Sequence, residues 1–78
     1  MKCTKYFLYT RTRPDRAAIA ETWIMQVIES PVREETQADG RLRRWAPIQA
    51  AGGRVLRVVL LADGETVHNA FFDRRFVL

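Results

Sequence analysis

The chain has 78 residues, 47% of them hydrophobic, and 13 Lys+Arg against 9 Asp+Glu give a formal net charge of +4. This length suits one domain over residues 1–78 and excludes two, and the apolar fraction argues against a disordered chain. One histidine and one cysteine exclude an intrachain disulfide and the usual zinc constellations, so no metal or other cofactor is expected.

Eleven of the thirteen cations are arginine. The planar guanidinium fork suits phosphate and carboxylate, which favours an anionic partner such as a nucleic acid or an acidic protein. The plain alternative is a set of surface ion pairs. A small domain without disulfide staples fits a reducing cytoplasm. No apolar run is long enough for a signal peptide or a membrane span, so a cytoplasmic protein with no membrane contact is expected.

In chain order, residues 4–10 (TKYFLYT) are rich in aromatic and β-forming residues and read as a first strand. Residues 14–30 read as a helix. Thr12 is a suitable cap, Pro14 takes the first helical position and Asp15 favours the positive helix end. Ala20, Trp23, Ile24, Val27 and Ile28 form one apolar stripe, and Pro31 stops the helix. Four strands follow over residues 32–38, 41–48, 54–62 and 65–72, with turns at Asp39-Gly40, Gly52-Gly53 and Asp63-Gly64. The expected fold is α+β: one amphipathic helix on one face of an antiparallel sheet of about five strands, in the order β-α-β-β-β-β.

Two-residue turns would set the registers. Asp39-Gly40 would pair Glu35 with Arg44, Thr36 with Arg43 and Glu34 with Trp45. Asp63-Gly64 would pair Leu60 with Val67, Leu56 with Phe71 and Arg54 with Asp73. One face would then carry Leu56, Val58, Leu60, Val67 and Phe71, interrupted by Asn69, and would seat the helix. The other would carry Val55, Arg57, Val59, Leu61, His68, Ala70 and Phe72. That second face is too apolar for full exposure, so a partner chain or ligand is expected against it.

The segment 54–75, RVLRVVLLADGETVHNAFFDRR, resembles the terminal hairpin of RelE/ParE-like toxins: an Arg-led apolar strand, a short turn, and a strand closing on arginines. The helix end Ile28-Glu29-Ser30-Pro31, followed by a short basic hairpin, is similar to the BrnT-type relatives of that group, and more closely to small bacterial proteins regarded as toxin-like. The resemblance covers the order of elements over residues 6–76. It implies a helical layer on an antiparallel sheet, a cognate antitoxin, and metal-independent RNA cleavage through attack of a 2′-hydroxyl on the adjacent phosphate. ParE-like members of the same fold are associated with gyrase instead, and the second helix of the RelE type is missing here, so the resemblance speaks more for fold than for chemistry.

His68 titrates near neutrality and is the candidate general acid or base; a strand histidine with a structural hydrogen bond is its plain alternative. Arg57, between valines, could hold a scissile phosphate or pair with an acid such as Glu34 or Asp73. Arg75 is the third candidate for catalysis, beside Asp73 and Arg74. Arg41, Arg43, Trp45 and Arg74 are candidates for RNA binding, with Arg41, Arg43 and Trp45 on one side of their strand and Arg44 on the other. Tyr6 and Tyr9 could position RNA or pack. Two readings stay open: a toxin-like RNA-binding protein or ribonuclease, and a non-catalytic interaction protein or homodimer using the second sheet face.

Overall fold

The computed structural model describes residues 1–77. They form an α+β arrangement in which α1 (Lys5–Thr10), α2 (Pro14–Ala17) and α3 (Glu21–Glu29) precede β1 (Arg33–Thr36), β2 (Leu42–Ile48), β3 (Arg54–Leu60) and β4 (Val67–Phe72). The sheet is an antiparallel meander in the order β1-β2-β3-β4. It has four strands rather than five, because the N-terminal segment is helical.

The aromatic run TKYFLYT has no polar–apolar alternation, so its apolar content alone does not separate strand from helix. Its capping residue decides. The Thr4 hydroxyl accepts from the Phe7 N–H at 3.1 Å, as an N-cap does. Phe7 and Thr10, one turn apart, are buried, while Tyr9, which a strand would place beside Phe7, is 68% exposed. Only Cys3 keeps a strand-like role. It bridges Val67 in parallel, with Thr4 N–H donating to Val67 O and Val67 N–H donating to Lys2 O.

The single helix expected over residues 14–30 is broken in two. Ala18 caps α2, and Ala20, with ψ 142°, starts α3. No proline or glycine forces this break. The bend buries Ile19 and carries Arg16 to Asn69 on β4, while α3 lays Ile24 and Val27 against β2 and β3. Tertiary packing outweighs the weak preference of an alanine-rich segment to continue. The C-terminal stop before Pro31 is where the proline places it.

Both expected hairpin registers differ. The first loop has three residues: Gln37 and Arg41 close it through Gln37 N–H to Arg41 O, and Gly40 takes φ 90°. This is a turn followed by a left-handed bulge residue. Glu34 therefore faces Arg44, Glu35 faces Arg43, and Arg33 faces Trp45, one residue from the two-residue-loop register. In the last hairpin Leu60 does face Val67, but beyond it Val59 faces Asn69, Val58 faces Ala70, Arg57 faces Phe71 and Leu56 faces Phe72. His68 is the extra residue of a β-bulge.

The bulge exchanges the two faces of β4. Ala70 and Phe72 join Leu56, Val58, Leu60 and Val67 under the helices, with Ile24, Val27, Ile48 and Phe7 completing the core. Phe71 and Asn69 turn to the other side, beside Arg57 and Val59. That side is not bare: Val59 is 6% exposed and Trp45 only 4%. The C-terminal Phe76 and several arginine stems lie over it, so the chain itself supplies part of the cover that was expected from a partner.

Candidate functional site

On the helix-free side of the sheet, His68, Arg57, Arg41, Tyr6, Gln37 and Asn69 line one open hollow of about 490 Å³. The bulge aims His68 into it. The ring stacks on Tyr6 of α1, with centroids 4.8 Å apart and planes at 22°, and its Nδ1 lies 3.1 Å from Thr4 Oγ1. The hydroxyl oxygen has two lone pairs, so besides accepting from Phe7 N–H it can accept from a protonated Nδ1, and in that tautomer Nε2 is the free base. Burial lowers the His68 pKa from its ordinary value, and the charge of Arg41 adds to the effect against a weaker pull from Asp39. Both causes favour the neutral imidazole, the form that can accept a proton.

Arg57 stands in the middle of β3 with its guanidinium between two rings, 5.6 Å from the Trp45 centroid and 5.1 Å from that of Phe71. Its Nη1 is 3.8 Å from Asp73 Oδ2, and its Nε is buried with no hydrogen-bond partner. Burial, and then the like charge of Arg43, lower its pKa, opposed by Asp73 and Glu35. Asp73 also accepts from Trp45 Nε1 and from the Arg75 N–H, each at 3.0 Å, and its carboxyl is held below the usual range chiefly by the indole. The ion pair between Arg57 and Asp73 is the alternative weighed for Arg57 from the sequence.

These contacts form one alternating line across the face. Arg33 lies over Phe76, Phe76 packs on Trp45, Arg57 lies between Trp45 and Phe71, and Arg16 covers the Phe71 ring at 5.3 Å. Arg43 sits in register between Glu35 and Val59, with a buried, unpartnered Nε. Arg41 is 3.7 Å from Asp39. Arg44, on the helix side as its strand position requires, pairs with Glu34 and donates to Ile28 O.

The fold thus brings His68, Arg57 and Arg41 together and keeps Arg43 on the same side. It sets Arg75 apart, in a second hollow with Trp45, Asp73 and Phe76. Arg74 lies in a third with Arg16 and Arg54. Trp45 is buried, and its neighbours are Arg57 and Phe76 rather than solvent. The sequence carried no signal for the Thr4–His68 contact, which spans 64 positions, nor for Asn69 as the acceptor of Arg16. Among the described residues, no group of three or more His, Cys, Asp or Glu could hold a metal ion, and no helix is long and apolar enough to cross a membrane.

No family model matches the chain, and neither a curated protein nor a solved structure matches it significantly.

Proposed function

We propose that this chain is a RelE-like, toxin-type RNA-binding protein that acts through its helix-free sheet face, and that its chemistry is metal-independent endoribonuclease cleavage. The observation that carries the reading is one hollow holding a neutral His68 beside Arg57 and Arg41. A strand laid there would meet guanidinium groups for its phosphates and the exposed Tyr6 for a base. His68 would take the proton of a 2′-hydroxyl, whose oxygen attacks the adjacent phosphorus. The 5′-oxygen leaves with a proton from water, giving a 2′,3′-cyclic phosphate and a 5′-hydroxyl. Arg57 would offset the charge that builds on the phosphoryl oxygens.

End-labelled RNA incubated with the wild type, His68→Gln and Arg57→Lys tests the chemistry. Loss of the general base is expected to slow cleavage by about 10²–10⁴-fold. Equal rates in all three proteins, or no cleavage by any, would remove the catalytic part and leave RNA binding to be judged by affinity.

A second reading is favoured by one specific observation: Arg57 is already held by Asp73 and two rings. In that reading the arginines are structural, and the face docks an antitoxin-like partner or a second copy of the chain without catalysis. A dimer insensitive to salt, with no RNA affinity, would decide for it.

A further inference from the structure

The geometry points to a second ligand site, separate from the His68 hollow, that takes a nucleoside monophosphate unit. It lies where α2, the start of β3 and the end of β4 meet, and its volume is about 570 Å³. Small-molecule pockets span about 300–1,000 Å³, so a single nucleotide fits the scale. Of the residues lining the His68 hollow it shares only Phe71.

Three arginines line it: Arg16, over the Phe71 ring, Arg54, over the Phe72 ring, and Arg74. Two carboxylates, Asp15 and Asp73, also line it, one fewer than the arginines. Asp73 is already engaged by Trp45 Nε1, the Arg75 N–H and Arg57. Asp15, 75% exposed, forms a long ion pair with Arg16 Nε at 3.9 Å. Among the described residues Arg74 makes no ion pair, and Arg54 is bonded only through its Nε, to Ala51 O. Arg16 donates from Nη1 to Asn69 Oδ1, and its buried Nε lacks a hydrogen-bond partner. This excess of donors calls for an anion with several acceptor oxygens, which phosphate supplies.

The planar part of the ligand follows from Arg54. Its guanidinium carbon lies 4.0 Å from the Phe72 centroid, and Trp23 meets the same ring edge-on from the other layer. Arg54 is exposed, so its outer plane can stack a base as the third layer above Phe72. A carboxylate side chain would satisfy the arginines but leave that platform empty, which is why a nucleotide is favoured over an acidic peptide.

The unit can come from a free nucleotide or from the phosphorylated end of a strand. Calorimetric titration of the whole protein with uridine and adenosine 5′-monophosphates, inorganic phosphate, and a trinucleotide with and without a 5′-phosphate separates these sources. Saturable binding of the mononucleotides, weakened at least tenfold in Arg74→Ala and in Arg54→Ala, supports the site with a free ligand. Binding of the phosphorylated trinucleotide alone, with the same losses, supports it with a strand end. No binding of any probe, equal affinity in both variants, or phosphate binding as tightly as the nucleotides would overturn it. Arg74 is exposed at the surface, so its variant keeps the test valid should Arg54→Ala unfold. Mononucleotide binding that is lost in Arg41→Ala but kept in Arg54→Ala and Arg74→Ala would place it in the His68 hollow and overturn the second site.

Discussion

Asp73 joins three otherwise unrelated features: the indole of a buried tryptophan, the guanidinium of a half-buried arginine, and the backbone after β4. Removing it leaves Trp45 Nε1 without an acceptor and Arg57 without its acid. Asp73→Ala should therefore destabilise the fold by about 2–4 kcal/mol, more than an exposed ion pair is worth. Urea unfolding checks this. Arg57→Met, which keeps a stem between the two rings, should lose less than Arg57→Ala. His68 adds a pH signature. Its folded pKa lies below the ordinary 6.5, so as pH falls the unfolded chain binds the proton first. The stability contributed by the neutral ring is complete above the unfolded value and is lost as pH drops through the folded one. Melting temperatures between about pH 7 and pH 5 should fall in the wild type and flatten in His68→Gln. Asp63, lowered to about 2 by the Thr66 hydroxyl, and Asp73 act in a separate, more acidic window.

Among the elements, the bulge at His68 matters most, because it decides which side chains of β4 reach the core. Deleting His68 would remove the bulge and leave Asn69 opposite Val59, Ala70 opposite Val58 and Phe72 opposite Leu56, so that Ala70 and Phe72 keep their places in the core. The deletion is therefore expected to unfold cooperatively, as is His68→Ala, which keeps the bulge; circular dichroism melts check both. Gly40 offers a milder test. Its φ of 90° disfavours any Cβ, and the nearest atom, Ala62 Cβ, stands 3.7 Å from where that carbon would be. Gly40→Ala should cost about 1–2 kcal/mol from backbone strain rather than from a clash. The strand positions themselves were legible: turn residues at Asp39-Gly40 and Asp63-Gly64 mark both hairpins. Their registers were not, because loop length and bulges depend on how each strand meets its neighbours. The N-terminal segment failed for a related reason. Seven residues without alternation carry no period, and one capping hydroxyl decided for helix.

For the whole molecule, charge and shape act together. A net charge of +4 spreads over arginines that the fold divides between ring-stacking, ion pairs and open hollows. If a single RNA strand crosses the His68 hollow and meets Arg41, Arg43 and Arg57, the logarithm of affinity should fall with the logarithm of salt at a slope of about −2, and Arg41→Ala should reduce it by about 0.7. Fluorescence anisotropy with a short oligonucleotide measures both; a flat salt response would count against phosphate contacts at this face. Of the candidate site, the sequence placed Arg57 with His68 on one face and Arg41 with Arg43 on one side of their own strand, and offered Glu34 or Asp73 as an acid for Arg57. It did not separate Arg74 and Arg75 from them, because the path of a chain end after its last strand has no periodic signal.

The sequence by itself determined the α+β class, the meander of four C-terminal strands, the apolar stripe of α3 and the basic character of one sheet face. Periodicity, turn chemistry and charge are local, and they survive without knowledge of neighbours. Only the tertiary structure decided the N-terminal helix, the break at Ala18–Ala20, both registers and the folding of Phe76 over Trp45. The break, the β4 register and the Phe76 contact turn on residues far apart in the chain, where burial of a few side chains outweighs weak local preference, while the N-terminal helix and the first loop turn on local hydrogen bonds that residue pattern alone does not reveal.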